Sequence, residues 1–131
     1  MTKTAVEMIG EARALVGTMT AAETANEITA GTVVAIDVRQ LDEWDHGHID
    51  GSVHTPRGLL EFIADPTSPR HKPELDPTRQ TVVVCASGAR AALAASTLKS
   101  MGYDDVAVLD GGLKAWIDAG LPVTEHEYAD I

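Results

Sequence analysis

Hydrophobic positions near the start of the chain recur at helical spacing. Apolar residues three and four apart over Ala5–Val16 predict an amphipathic helix within about residues 3–16. Gly17 is expected to end it. Thr20 and Glu23 have the spacing of a capping box, which predicts a second helix over Ala21–Thr29. The chain therefore opens with two helices.

A different pattern, of continuous apolar runs, follows further along. Such runs are typical of strands buried on both faces of a parallel sheet. They occur at Thr32–Val38, Thr81–Cys85 and Val106–Leu109, with a shorter candidate at Ser52–His54. Together these runs predict the strands of one shared sheet.

Helical segments separate these runs. They are predicted over Gly58–Ala64, Ala91–Met101 and Leu113–Ala119. Alternating strands and helices indicate an α/β fold, with a mostly parallel central sheet and helices on both faces. A length of 131 residues suits a single domain over 1–131, with its core over about 19–123. The apolar stripe of the first helix could pack on the sheet or form a dimer, so both monomer and homodimer stay open.

Charge and apolar content exclude several classes of partner. The chain has 20 acidic and 10 basic residues, a net charge of −10, which repels nucleic acid and anionic lipid. No apolar stretch approaches the roughly 20 residues of a membrane span, and Glu7 and Glu11 interrupt any secretory signal. We expect a cytoplasmic protein that binds neither nucleic acid nor membranes.

One segment carries most of the chemical information. Cys85, the only cysteine, ends a predicted strand and is followed by the small residues Ala86, Ser87, Gly88 and Ala89. In this turn, backbone N–H groups can converge in front of a helix N-terminus and favour a thiolate over a thiol. Arg90 could close this ring of positive charge or bind the loop carbonyls. A buried structural cysteine remains the alternative.

Four separate motifs resemble the rhodanese family, in order and at suitable spacing. Cys85 to Arg90 is similar to the six-residue active loop of the family's sulfurtransferases. The other motifs are Ile36-Asp37-Val38-Arg39, the stretch Glu43-Trp44 with Gly47 to Pro56, and Leu109-Asp110-Gly111-Gly112-Leu113 with Trp116 and Gly120-Leu121-Pro122. The sequence is identified on these motifs as a single-domain rhodanese with an extra N-terminal helix.

The resemblance implies a sulfurtransferase of the thiosulfate:cyanide class. Cys85 would carry a sulfane sulfur as a persulfide and pass it to cyanide or a thiol, which could belong to another protein. Ala86 to Arg90 would bind the substrate, while Asp37 and Arg39 would support the loop from the same edge of the sheet. Asp37 could equally serve only to anchor the turn after its strand. No cofactor is implied.

Glu43 leaves the sulfur donor open. Thiosulfate-specialised two-domain members of the family carry a cationic residue near this position, whereas many single-domain members carry an acidic one. Nearby, His46, His48 and His54 fit no structural zinc spacing, so we expect no metal site. Trp116 lies between apolar neighbours and is expected in the core.

Two other functions remain open from the sequence. Cysteine phosphatases and arsenate reductases also hold a thiolate in a cradle of amides backed by arginine. Phosphatase loops of this kind have five residues between cysteine and arginine, whereas four separate Cys85 from Arg90. A binding or regulatory module of rhodanese type is the second alternative. Such modules often lack the cysteine that this chain keeps.

Overall fold

One sheet of five parallel strands runs through the computed structural model, which describes residues 2–125. In chain order the strands are β1 (Gly17–Met19), β2 (Val34–Asp37), β3 (Val53–His54), β4 (Thr81–Val84) and β5 (Val106–Leu109). They lie side by side in the order β1-β5-β4-β2-β3, and every neighbouring pair is parallel. The predicted parallel sheet is confirmed. Residues 1 and 126–131 of the predicted single domain lie outside the described residues.

Helices cover both faces of this sheet, as predicted. They are α1 (Ala5–Leu15), α2 (Ala21–Ala30), α3 (Leu41–Asp45), α4 (Leu60–Ala64), α5 (Ala89–Ser100) and α6 (Gly112–Asp118), with a 3₁₀ turn at Arg57–Leu59 before α4. Two apolar clusters fill the space between the helices and the sheet. One lies under α1, α4 and α5, and the other under α2 and α6.

The alternation of side chains along β4 explains its continuous apolar sequence. Val83 and Cys85 point into the cluster beneath α5, while Val82 and Val84 point into the cluster beneath α6. All four are fully or almost fully buried, because the strand lies in the middle of the sheet. The strand therefore holds the residue after it, Cys85, at a fixed place on the carboxyl edge of the sheet.

The structure differs from the prediction in two elements and one packing contact. Gly17 was expected only to end the first helix, but it begins the edge strand β1. The short helix α3 was not predicted either. The apolar stripe of α1 packs on α5, which in turn packs on β4 and β5, so α1 does not lie on the sheet itself. Ala12 is the buried residue of that contact, whereas Met8 and Leu15 are exposed.

Within residues 2–125, the length and apolar character that a helix needs to cross a lipid bilayer are not met by any helix.

Candidate active site

Cys85 lies directly after β4 with its sulfur among backbone N–H groups. Its Sγ accepts hydrogen bonds from the amide of Gly88, at 3.0 Å, and from the amide of Ala91, at 3.3 Å. The side chain is 1% exposed. Amide donors facing the sulfur place partial positive charge beside it. The sulfur is thus both buried and electrostatically supported.

The donors to the sulfur differ in part from those expected. The sequence pointed to the amides of Ala86 to Ala89, yet within the described chain only Gly88 of that set donates to Sγ. The second donor, Ala91, lies in the first turn of α5, where the first amides of a helix have no partner within the helix. Gly88 adopts φ +113°, a conformation that glycine accepts easily. That twist lets the loop curl back over the sulfur.

The start of α6 holds the other side of the loop. The amide of Leu113 donates to the carbonyl of Cys85 at 2.9 Å, and the amide of Lys114 donates to the carbonyl of Ala86 at 3.2 Å. A Cβ on Gly112 would lie only 2.6 Å from the Ala86 carbonyl oxygen. The loop and α6 therefore approach as closely as a glycine permits.

Arg90 binds a carboxylate and not the loop carbonyls that the sequence suggested. Its two terminal nitrogens donate to the two carboxylate oxygens of Glu43 at 2.7 and 2.9 Å. These hydrogen bonds, together with the positive charge of Arg90, lower the pKa of Glu43 to about 2. The same hydrogen bonds raise the pKa of Arg90. The nearby Cys85 also raises it, but by less. At neutral pH the guanidinium is thus paired with a full negative charge.

Asp37 and Arg39 form a buried ion pair that supports the site through Glu43. The Arg39 Nη2 lies 2.8 Å from an Asp37 oxygen and donates to the Gly47 carbonyl at 2.7 Å, while Nη1 donates to the Glu43 carbonyl at 3.4 Å. Asp37 also accepts a hydrogen bond from the Arg39 amide, which anchors the turn after β2. Neither side chain bonds to Sγ among the described residues. The pair positions the segment that carries Glu43.

The histidines of the same segment serve its packing. The Trp44 ring stacks with that of His48, at a centroid distance of 3.5 Å, and with that of His54, at 4.8 Å. In residues 2–125 no three His, Cys, Asp or Glu side chains are grouped as metal ligands. Trp116 is 4% exposed and its indole N–H donates to the Pro122 carbonyl, so its predicted place in the core is confirmed.

Comparison with protein families agrees with this geometry. A family model described as a rhodanese-like domain matches residues 20–119. The chain belongs to the rhodanese-like family. The thiosulfate sulfurtransferase GlpE of Shewanella oneidensis is 36% identical over 91 residues, which make up 69% of this chain and 81% of that protein. These similarities support a sulfur-transfer role for this rhodanese.

Solved structures give the same fold. A Rhodopseudomonas palustris protein of unknown function, described as a possible tyrosine phosphatase, is 39% identical with a TM-score of 0.87, covering 95% of this chain and 96% of that one. The polysulfide-sulfur transferase homodimer of Wolinella succinogenes is 29% identical with a TM-score of 0.73, covering 92% and 86%. This rhodanese also spans 40% of YrkF from Bacillus subtilis and 24% of MoeZ from Mycobacterium tuberculosis, which are longer chains.

Sequence reasoning missed the partners that surround the predicted loop. Glu43 was noted as part of a family motif and as a departure from the two-domain members, but not as the ion-pair partner of Arg90, 47 residues away. The close approach of Gly112 was hidden as well, although a pair of glycines before a helix is a signal for such contacts. Both contacts depend on how distant segments meet, which local pattern does not encode.

Proposed function

We propose that this rhodanese is a sulfurtransferase in which Cys85 carries a sulfane sulfur as a persulfide. The observation that carries the proposal is the pair of amide N–H groups on Sγ at the carboxyl end of β4. This edge is where open α/β sheets bind ligands. The loop from Ala86 to Arg90 would surround the donor, with Asp37 and Arg39 positioning it from behind.

The first step is a displacement at sulfur. The Cys85 thiolate attacks the sulfane sulfur of a donor such as thiosulfate and forms a new S–S bond. The S–S bond of the donor breaks, and sulfite leaves with its electron pair. The product is a persulfide with a negative outer sulfur, and the amides that stabilise the thiolate favour that charge too. No external oxidant or reductant is needed.

The second step returns the enzyme to its starting state. Cyanide or a thiolate attacks the outer sulfur, the S–S bond to Cys85 breaks, and the electron pair returns to Sγ. Thiocyanate or an organic persulfide leaves. Because the donor product departs before the acceptor reacts, ping-pong kinetics are expected. The acceptor could also be a protein thiol, and we place this exchange in the cytoplasm, where thiols stay reduced.

The description of the Rhodopseudomonas palustris relative makes phosphate-ester hydrolysis the second candidate. Against it stands the loop, which has four residues between Cys85 and Arg90. Glu43 also occupies the Arg90 hydrogen-bond donors that a phosphatase would offer to the phosphoryl oxygens. A shorter ring with a neutralised arginine suits a sulfur atom better than a phosphoryl group.

Thiocyanate formation from thiosulfate and cyanide tests the proposal. The wild type should form thiocyanate. In Cys85→Ser the rate of thiocyanate formation should fall at least about a thousandfold, because the weaker nucleophile cannot form a persulfide. Unfolding curves of both proteins control for folding of the variant. Turnover retained by a folded Cys85→Ser protein would refute the persulfide, and hydrolysis of an aryl phosphate in place of thiocyanate formation would favour the phosphatase.

A further inference from the structure

A cavity of about 220 Å³ lies between the active loop and the N-terminal helix α1. The loop contributes Ser87 and Gly88, and the amide of Gly88 is one of the two donors to the Cys85 sulfur. From the other side come Arg13 of α1 and Val16, which follows it. The apolar end of β5 completes the wall. This space adjoins the loop that surrounds the Cys85 sulfur and has room for a few non-hydrogen atoms.

Arg13 brings a positive charge to the loop. Its Nη2 lies 3.8 Å from the place that a Cβ on Gly88 would occupy. Standard backbone dimensions then put the guanidinium within roughly 10 Å of the Cys85 sulfur. Arg90, the other arginine at the loop, is paired with Glu43, whereas Arg13 takes part in none of the ion pairs within residues 2–125. Arg13 is therefore the cation that a bound anion can use.

Asp110 lines the same cavity and carries the opposite charge. Among the described residues it forms no ion pair with Arg13, so the guanidinium keeps its donors for a ligand. A dianion such as thiosulfate would be repelled by the Asp110 carboxylate as well as attracted by Arg13. An organic molecule with a single negative group can instead place that group on Arg13 and its carbon chain on Val16 and β5.

We infer that this cavity binds the sulfur acceptor, a small organic thiol that carries a carboxylate, and that Arg13 binds the carboxylate. The inference rests on the persulfide function proposed above. The acceptor thiol loses its proton to water, and its sulfur attacks the outer sulfur of the persulfide. A new S–S bond forms, the bond to Sγ breaks, and the electron pair returns to Cys85. Sulfane sulfur leaves on the acceptor.

The origin of this specificity lies outside the region matched by the family model. That match covers residues 20–119, whereas Arg13 and Val16 precede it. The loop supplies the chemistry, and the preceding segment supplies a binding group that the matched region does not contain. The choice of acceptor thus becomes a property of α1.

Sulfur transfer from the preloaded persulfide protein to two thiols of similar size tests the inference. Arg13→Gln should lower kcat/KM for 3-mercaptopropionate about tenfold, mainly through KM, and leave 2-mercaptoethanol unchanged. Arg13→Lys should recover part of the loss. Asp110→Asn should act in the opposite direction and raise the rate with 3-mercaptopropionate, because it removes a repulsive charge.

Arg70→Gln is the matched control, since it removes the same charge from an exposed loop residue after α4. This variant should change kcat/KM for neither thiol. Equal losses with both thiols in Arg13→Gln, or no loss with either, would overturn the inference while leaving the persulfide intact. Failure of the wild type to load sulfur at all would instead overturn the proposed function.

Discussion

The ion pair between Arg90 and Glu43 sets how much positive charge the active loop offers to a donor. The pKa of Glu43, held at about 2 by the hydrogen bonds from Arg90, keeps this carboxylate ionised throughout the neutral range. A guanidinium bound to a carboxylate attracts a dianion far less than a lone guanidinium does. Donor loading should therefore be limited by Glu43.

Replacing Glu43 with Gln should increase the rate of loading by thiosulfate. The change removes the neutralising charge and leaves a side chain of the same size, so we expect a gain of roughly three- to tenfold in the second-order rate constant. Stopped-flow measurement of sulfite release gives this constant. Glu61→Gln is the matched control, because Glu61 pairs with Arg57 at the surface. An equal gain in the control, or a loss in Glu43→Gln, would contradict this role.

The same pair should contribute to stability in a defined pH range. Since the pKa of Glu43 falls from 4.5 to about 2 on folding, its contribution is complete above pH 4.5 and is lost as the pH falls through about 2. The pair is about one-third exposed, so we expect about 1 kcal/mol. Denaturant unfolding of wild type and Glu43→Gln at several pH values measures it.

An Arg90→Gln background provides the control for that measurement. In that background, the effect of Glu43→Gln on the free energy of unfolding should lose most of its pH dependence, because the main cause of the lowered pKa is gone. If the effect of Glu43→Gln in the otherwise wild-type protein stays constant from pH 6 down to about pH 2, the ion pair does not act on stability as described.

At the scale of elements, the active loop is held between α5 and α6. The first turn of α5 supplies the amide of Ala91 to the sulfur, and the first turn of α6 binds the carbonyls of Cys85 and Ala86. The first turns of two helices, whose amides lack a partner within the helix, thus bind the sulfur and the carbonyls of one short loop. The geometry at the sulfur depends on the position of α6.

Gly112→Ala should damage activity more than stability alone explains. Its φ of +63° strains any other residue, and its Cβ would collide with the Ala86 carbonyl. Gly120→Ala, at φ +77° with open space around it, carries the strain without the collision. We expect Gly120→Ala to lose about 1 kcal/mol of stability and Gly112→Ala to lose more, because only Gly112→Ala adds the collision. Only Gly112→Ala should lose at least about tenfold in kcat/KM. Equal activity in the two variants would refute the anchoring role.

The long elements were predictable, whereas two of the short ones, β1 and α3, were not. α5 and β4 have many residues in one pattern, so their existence and type follow from periodicity. β1 has three residues and α3 has five, and each is stabilised by contacts with distant segments. The place of Cys85 and Arg90 in a loop between a strand and a helix was predictable from the local sequence. Their partners Glu43, Ala91 and Gly112 required the tertiary structure.

At the scale of the whole molecule, α1 packs on α5, a helix within the region that the family model matches. Ala12 is 3% exposed against α5, and α5 rests on the central strands. A helix that shares the cluster under β4 should unfold together with the sheet. This coupling holds Arg13 beside the active loop.

Ala12→Gln should destabilise the whole protein in one transition. A larger polar side chain at this contact should cost about 1–3 kcal/mol, because the amide loses water and overfills the space between the helices. Ala14→Gln makes the same change at an exposed position of the same helix and should be nearly neutral. Circular dichroism during chemical denaturation reports both. A separate early transition in Ala12→Gln would show that α1 folds independently.

The capture of sulfur on Cys85 is the central claim, and the mass of the isolated protein tests it most directly. After incubation with thiosulfate and removal of the donor, the intact protein should be heavier by one sulfur atom, and cyanide should remove that mass with release of one equivalent of thiocyanate. A folded Cys85→Ser protein should gain nothing. A wild type that gains no sulfur, or a Cys85→Ser variant that gains it equally, would contradict the account.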